Sequence, residues 1–275
     1  MKEIQAESGE ATSVGAVVSK FDQVKAVADR AVEEYGRLDS WVHLAAVGLF
    51  ATSQQTTPEE FERVIDVNLM GQVYGAMAAL PHIKLEGRGA LIHISSVEAK
   101  RSFPFHSAYG ASKHGIDRFL KALRLELKHE GWLISVSQVM PGTINTPFFD
   151  KGRTKLGVKP VTPPPIFRPS IVTDAVLHAT ENPARNLVVG AARAVISSQA
   201  LSLRLLDAVL ERVGFGVRYT PKPDDAPDNL FGPIAGHNTS EDSFSDQAHP
   251  KILQLAGARP GGQTGRPHGH RPGNP

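Results

Sequence analysis

Apolar residues gather in short runs between residue 14 and residue 190, and these runs predict buried β-strands. The runs are rich in Val, Ile and Leu and are bounded by polar or turn-forming residues. Strands that are apolar on both faces are typical of a parallel sheet covered by helices. The predicted strands are residues 14–18, 38–46, 90–96, 133–140 and 186–190.

Between these runs, apolar residues recur every three or four positions, which predicts amphipathic helices. One such stripe begins at Phe21 and stops at Gly36, a residue type that commonly ends helices. Another follows Thr57-Pro58-Glu59-Glu60, where Thr can cap the helix, Pro suits its first turn and a Glu is positioned for a capping box. The alternation of strands and helices predicts a layered α/β domain. The predicted helices are residues 21–35, 61–80, 108–127, 170–180 and 194–213.

The segment Tyr109-Gly110-Ala111-Ser112-Lys113 is the most informative one for function. Residues four positions apart on a helix are neighbours on one face, so the phenol of Tyr109 lies beside the ammonium of Lys113. A nearby cation favours the phenolate and lowers the pKa of a phenol toward the working range of an acid/base catalyst. A surface pair on an amphipathic helix is the alternative, because both residue types are common.

Three further segments accompany this pair. Ser96 closes the run 90–96, thirteen residues before Tyr109, although a Ser there could simply cap a strand end. Asn68 interrupts an apolar helical pattern in which Asn is locally unfavourable, which suits a functional kink, although a solvent-facing Asn is the alternative. The run Pro141-Gly142-Thr143-Ile144-Asn145-Thr146-Pro147 follows the next predicted strand.

In the order and spacing of these four segments, the chain resembles the short-chain dehydrogenase/reductase family between Gly9 and Gly190. The resemblance implies a Rossmann-like, doubly wound parallel sheet. It also implies an oxidoreductase that uses NAD or NADP to interconvert an alcohol and a ketone or aldehyde. A homo-oligomer is a further implication, because helices matching 61–80 and 108–127 form the usual interface in the family; burial of these apolar helices against the sheet is the alternative.

The resemblance also assigns roles to individual residues. Tyr109 would be the general acid/base, Lys113 would lower its pKa and hold the nicotinamide ribose, and Ser96 would donate a hydrogen bond to the substrate oxygen. Ser96 is preferred to Ser95 because of the family spacing to the Tyr. Asn68 would hold a water that links Lys113 to solvent. The residues that would contact the cofactor are Ala45, Ala46, Tyr109, Lys113, Pro141, Gly142, Ile144 and Thr146.

Three cofactor features of the family are not found in this sequence. No Thr-Gly-x-x-x-Gly-x-Gly turn, which would bring the backbone close to the pyrophosphate, precedes residue 36. Val17 stands where the family has an Asp, and His43-Leu44-Ala45-Ala46 stands where it has Asn-Asn-Ala-Gly. We therefore expect the first two strands of the family's sheet to be missing. Three explanations are open: a true start upstream, a decayed and catalytically silent relative, or a second chain that supplies the strands.

Composition narrows the possible classes of function. The chain has 275 residues, of which 41% are hydrophobic, enough for one sizeable core. A net charge of +2 does not favour nucleic acid or a membrane surface as partner, and no run reaches membrane-spanning length. The lack of cysteine excludes disulfides and thiol catalysis and suits a reducing cytoplasm. His93, His106 and His114 flank the candidate site but lack metal-ligand spacing, so core or rim positions and no metal are expected.

The chain divides into three parts. Residues 1–192 are predicted to form the catalytic domain, 193–218 a helical extension, and 219–275 a disordered tail rich in Pro and Gly. Within the tail, Asp228-Asn229-Leu230-Phe231 is an apolar island suited to docking on the domain. His268-Gly269-His270 is a weak candidate for metal binding, with a solvated tail as the alternative.

Aromatic residues on either side of the candidate site predict an apolar pocket. The segment 148–167 is rich in Pro and Lys, and the resemblance implies that it forms the substrate loop, because the family places that loop after the Pro-Gly motif. Such a pocket favours a hydrophobic carbonyl or alcohol as substrate, although each ring could instead fill the core. The rings are Phe103, Phe105, Phe148, Phe149 and Phe167.

Two functions are compatible with this sequence. The first is the oxidoreductase already described. The second is a non-catalytic protein of the same lineage that uses its fold as an interaction surface. Titration with a nicotinamide cofactor distinguishes them, because only the first requires binding.

Overall fold

A four-stranded parallel β-sheet forms the centre of the computed structural model, which describes residues 2–160, 164–215, 219–223, 227–234 and 245–250. The strands of the described residues are β1 (Ser40–His43), β2 (Leu49–Phe50), β3 (Arg88–Ile94), β4 (Leu133–Pro141), β5 (Arg153–Thr154), β6 (Val158–Pro160), β7 (Asn186–Val189) and β8 (Tyr219–Pro223). The central sheet has the order β1-β3-β4-β7, and all three of its strand pairs are parallel. The other strands form two small sheets, β2 with β5 and β6 with β8.

Helices cover both faces of this sheet, as the sequence predicts for a layered α/β domain. The helices are α1 (Lys2–Ala6), α2 (Phe21–Tyr35), α3 (Pro58–Ile65), α4 (Gly71–Leu85), α5 (Ser107–His129), α6 (Phe148–Lys151), α7 (Ser170–Glu181), α8 (Ala192–Leu201) and α9 (Leu203–Val213). One face of the sheet packs against α2, α4 and α5 around a core that includes Leu91 of β3 and Val136 of β4. The opposite face packs against α7 around Ile92 and Val139.

The start and stop signals in the sequence act as predicted. Helix α2 ends at Gly36, whose φ of 77° lies in the left-handed region that glycine tolerates. At the start of α3, the hydroxyl of Thr57 accepts a hydrogen bond from the Glu60 amide, and the Glu60 carboxylate accepts one from the Thr57 amide. Both bonds of the predicted capping box are therefore formed.

Helices α3 and α4 are joined by a π-helical turn, Asp66–Met70. Asn68 lies within this turn and is fully buried, so the structure confirms the predicted helix irregularity at this residue and excludes a solvent-facing Asn68. Such π-turns occur mostly as single insertions in α-helices and are frequent at functional sites.

The predicted strand 14–18 is wrong. Residues 9–17 have no regular structure, and the side chains of Val14 and Val17 are 43% and 44% exposed. A strand needs a neighbouring strand to satisfy its backbone hydrogen bonds. Here the amide of Val17 donates instead to the side-chain oxygen of Gln23 on α2. Within the described residues, β1 is therefore an edge of the central sheet.

Two predictions for the C-terminal part also need correction. The predicted helix 194–213 is interrupted at Ser202 and forms α8 and α9. The tail from Tyr219 is not wholly disordered, because β8 pairs with β6 and the backbone of His249 bonds to Ile166 and Arg168. The metal-binding candidate at 268–270 lies outside the described residues.

The apolar island of the tail does dock on the domain. Leu230 is fully buried in a cluster formed by residues such as Val64 and Ala108. Its carbonyl accepts a hydrogen bond of 2.9 Å from Arg63, and neighbouring Asp228 forms an ion pair of 2.9 Å with Arg153. Burial of one large apolar side chain and these two polar contacts explain the docking that the apolar island predicted.

Candidate active site

A cleft of about 600 Å³ opens where β3 and β4 end at their carboxyl side. Ser96, Tyr109 and Lys113 all line this cleft. Ser96 comes from the turn after β3, and the other two residues come from the first turns of α5. The structure thus brings together three of the four residues that the sequence predicted to be catalytic.

Tyr109 and Lys113 are held against each other inside the protein. The Nζ atom of Lys113 lies 5.3 Å from the centroid of the Tyr109 ring. Tyr109 is 8% exposed and Lys113 is 1% exposed, so this is not the surface pair considered above. The ammonium donates a hydrogen bond of 3.2 Å to the carbonyl of Ile94, the last residue of β3.

The environment of Lys113 makes its protonation sensitive to pH near the physiological range. Burial lowers the pKa of Lys113 from 10.5 to about 8, because removal from water disfavours a charged ammonium. The negative charge of Glu98 acts in the opposite direction. Lys113 can therefore hold or release a proton where most lysines remain charged.

Ser96 is oriented by a local hydrogen bond. It is the N-cap of the short 3₁₀ turn Val97–Ala99, and its hydroxyl oxygen accepts from the amide of Glu98 at 3.1 Å. Because the oxygen is the acceptor in this bond, the hydroxyl proton can be donated to another group. Ser95 also lines the cleft, while its backbone amide bonds to Val139 and continues the sheet.

The side chain of Asn68 binds protein backbone. Its amide oxygen accepts from the Val47 amide at 2.8 Å, and its amide nitrogen donates to the Val47 carbonyl at 3.0 Å. These bonds fix the segment that follows β1. Asn68 does not line the cleft, so the water that the sequence assigned to it stays a prediction.

The loop after β4 forms one wall of the cleft. Four of its predicted cofactor residues line that wall, and Ala46 lies on the wall that follows β1, whereas Ala45 does not reach the cleft. Gly142 is packed closely, since a Cβ there would lie 3.0 Å from the backbone nitrogen of Ala192. The four loop residues are Pro141, Gly142, Ile144 and Thr146.

Aromatic rings and prolines make much of the cleft apolar. Phe103, Phe148 and Phe149 line it, as predicted, together with Pro164 and Pro165. The other two predicted rings do not. Phe105 packs edge-on against Phe215 with ring centroids 5.1 Å apart, and Phe167 is buried in the core beside α7.

A buried hydrogen-bonded pair at the cleft was not predicted from the sequence. The Nδ1 atom of His106 lies 2.7 Å from a carboxylate oxygen of Glu98. His106 is 2% exposed, Glu98 is 5% exposed, and both line the cleft beside Tyr109. The sequence placed His106 near the site as a core or rim residue, but it gave no signal for Glu98 or for their pairing.

Two more buried histidines lie on neighbouring strands near Lys113. His43 of β1 and His93 of β3 are in register, and their rings stack with centroids 6.4 Å apart. Burial, with the positive charge of Lys113, lowers the pKa of His43 from 6.5 to about 4. Burial chiefly lowers the pKa of His93 to about 3, so both rings are neutral in the folded protein near neutral pH.

Among the described residues, no group of three or more His, Cys, Asp or Glu is placed to hold a metal ion.

These histidines predict an acid-sensitive fold. Below about pH 6.5 the imidazole of His43 binds a proton in the unfolded chain, whereas in the folded protein it stays neutral until about pH 4. The free energy of unfolding therefore falls as the pH drops from 6.5 toward 4. Replacing His43 with Asn should remove one such site and make the loss of unfolding free energy between pH 7 and pH 4.5 smaller by about 2 kcal/mol. Urea denaturation at several pH values measures this. The exposed His129→Asn variant is the control, and an equal pH dependence in both variants would contradict the prediction.

Comparison with known proteins agrees with this architecture. The family model of the short chain dehydrogenases matches residues 1–157. An uncharacterized oxidoreductase of Bacillus subtilis, YxnA, is 32% identical over 226 residues, which cover 81% of this chain and 64% of that protein. The 3beta-hydroxysteroid dehydrogenase 1 of Eggerthella lenta is 36% identical over 148 residues, covering 54% of this chain and 56% of that protein.

Solved structures show the same fold. A short chain dehydrogenase from Burkholderia cenocepacia, solved in complex with NADP, is 27% identical and superposes with a TM-score of 0.60. That superposition covers 72% of this chain and 77% of the other. The chain spans 64% and 56% of the lengths of the two curated relatives described above. No helix in the described part of the chain has the length and apolar character to cross a bilayer.

Proposed function

Because the chain belongs to the short-chain dehydrogenase family, we propose that it is an oxidoreductase that interconverts an alcohol and a ketone or aldehyde with NAD or NADP. The observation that carries this proposal is the meeting of Ser96, Tyr109 and Lys113 at one cleft. Each of the three supplies a different part of the chemistry that a carbonyl reduction requires.

Tyr109 passes a proton to the carbonyl oxygen during reduction and takes it back during oxidation. Ser96 donates its hydroxyl proton in a hydrogen bond to the same oxygen, which stabilises the negative charge that develops there. Lys113 places a positive charge beside the phenol ring and replenishes its proton. The nicotinamide supplies or accepts the hydride when the cofactor is bound.

The described residues fit the nicotinamide end of such a cofactor. The small side chain of Ala46 leaves room at the cleft for a flat ring, and Thr146 and Lys113 offer hydrogen-bonding groups to its amide and ribose. We therefore propose that these residues bind the nicotinamide nucleoside half of the cofactor.

This proposal makes a binding prediction. Reduced nicotinamide mononucleotide, which carries the nicotinamide nucleoside half alone, should bind the cleft, as should NADH and NADPH. Titration followed by nicotinamide fluorescence measures all three. Ala46→Phe should abolish the signal by filling the cleft, whereas Ala45→Phe, which changes a residue beside the cleft, should retain it. No signal at millimolar concentrations of any of the three nucleotides would contradict the proposed function.

The substrate that suits this cleft is a hydrophobic carbonyl or alcohol. Phe103, Phe148 and Phe149 line the cleft, and their rings favour apolar groups. The name of the steroid dehydrogenase relative is in keeping with a bulky apolar substrate.

A further inference from the structure

Lys113 is a buried cation whose hydrogen bond goes to a neutral group. The bond is to the carbonyl of Ile94, and the ammonium is 1% exposed. A buried charge is costly unless an opposite charge lies nearby. A group of opposite charge near the lysine is therefore needed to keep it protonated.

Glu98 is the carboxylate placed to do so. It is 5% exposed, it lines the same cleft as Lys113, and its negative charge opposes the effect of burial on the lysine. The backbone amide of Glu98 also bonds to the Ser96 hydroxyl, so the carboxylate and the serine are positioned by one short turn.

His106 holds this carboxylate in place. Its Nδ1 atom donates to Glu98 at 2.7 Å, since a carboxylate can only accept. The imidazole is confined between Phe50, with ring centroids 4.2 Å apart, and Tyr109, with ring centroids 5.2 Å apart. A buried carboxylate with a fixed donor keeps a fixed orientation toward its surroundings.

The backbone before His106 reinforces this position. Phe105 has a φ of 66°, a left-handed conformation that is unfavourable for a residue with a side chain. Its carbonyl accepts a hydrogen bond of 3.0 Å from the Ala51 amide. Conformations of this kind persist where the surrounding structure fixes them, and they cluster at functional sites.

We propose that Glu98, held by His106, is the counter-charge that keeps Lys113 protonated. The charges of Glu98 and Lys113 are thereby held beside Tyr109 for the acid/base step. This inference rests on the proposed function only for its purpose, since the state of Lys113 can be measured without turnover. Other titratable groups face the lysine from its neighbouring elements. They are His43 of β1 and His93 of β3, both neutral above pH 6, and Tyr109 on α5 itself.

The test is a pH titration of Lys113 by NMR in protein labelled with ¹³C-lysine, with Lys113→Met to assign the signal. The wild-type midpoint should lie at about 8. In Glu98→Gln, which keeps the shape and removes the charge, the midpoint should fall by about one pH unit or more. Glu98→Asp, which keeps the charge, should titrate closer to the wild type than Glu98→Gln does.

Glu60→Gln is the matched control, because Glu60 is also buried but forms ion pairs with Arg153 and Lys155 outside the cleft. Its midpoint should equal that of the wild type. An unchanged midpoint in Glu98→Gln, or an equal fall in Glu60→Gln, would overturn the proposal. If Glu98→Gln does not fold, Glu98→Ala, which also removes the carboxylate but is smaller, takes its place: a fall in the Lys113 midpoint would support the proposal and an unchanged midpoint would overturn it. Absence of cofactor binding would count against the proposed function and leave this titration readable.

Discussion

Replacing Tyr109 with Phe should lower turnover about a thousandfold, within the range of 10²–10⁴ that general acid–base groups contribute. The substitution removes one oxygen and keeps the ring. Packing against His106 and Phe148, with centroids 5.2 and 5.3 Å away, should therefore be preserved, as should the approach of Lys113. The loss should appear in kcat, while affinity for the reduced cofactor changes little.

The matched control is Tyr74→Phe, which removes a hydroxyl from a ring that packs against Phe21 away from the cleft. Turnover of this variant should match that of the wild type. Steady-state kinetics with a hydrophobic ketone, together with nicotinamide fluorescence titration, separate catalysis from binding. Turnover retained in Tyr109→Phe would show that another group moves the proton.

Replacing Leu230 with Ala should destabilise the protein by about 2–5 kcal/mol, the usual cost of truncating a fully buried leucine. Leu230 is 0% exposed although it lies in a segment whose composition is typical of a disordered tail. Its loss should also loosen Asn229, the neighbouring residue that lines the cleft. Urea denaturation of the full chain measures the free energy of unfolding.

Leu125→Ala on α5 provides the comparison, because it is the same substitution at a side chain that is 67% exposed. Its effect should stay within about 0.5 kcal/mol. Equal stabilities of the two variants would mean that the segment around Leu230 does not contribute to the fold. The position of the cleft wall formed by Asn229 would then need another support.

Local signals in the sequence were sufficient for most of the helices and central strands. Gly36 and the capping box at Thr57 mark helix ends because the physics of capping acts within a few residues. The prediction of a strand at residues 14–18 was wrong because a strand depends on a partner that is distant in the chain. Its apolar residues resemble a strand but have no neighbouring strand to pair with in the described residues. The apolar island at Leu230 indicated docking, but its partners, such as Val64 and Ala108, lie more than a hundred residues away in the chain and were not predictable.

In the candidate site, too, local signals were predictable from the sequence and contacts between separate elements were not. Helical spacing predicted that Tyr109 and Lys113 lie side by side, and the resemblance to the family implied that Ser96 joins them; all three line the cleft. The pairing of Glu98 with His106 depends on how the turn after β3 meets the start of α5, and sequence spacing does not encode that contact. The stacked pair of His43 and His93 depends on the register of two strands far apart in the chain.

Transfer of deuterium from NADH or NADPH labelled at the nicotinamide C4 position to a hydrophobic ketone tests the central claim most directly. The claim is that Tyr109, Lys113 and Ser96 reduce a carbonyl together in this cleft. We predict that mass spectrometry finds one deuterium on the carbinol carbon of the alcohol made by the wild type, and almost no labelled alcohol with Tyr109→Phe. Wild-type protein that binds the labelled cofactor but yields no deuterated alcohol from any of a panel of ketones and aldehydes would contradict the account.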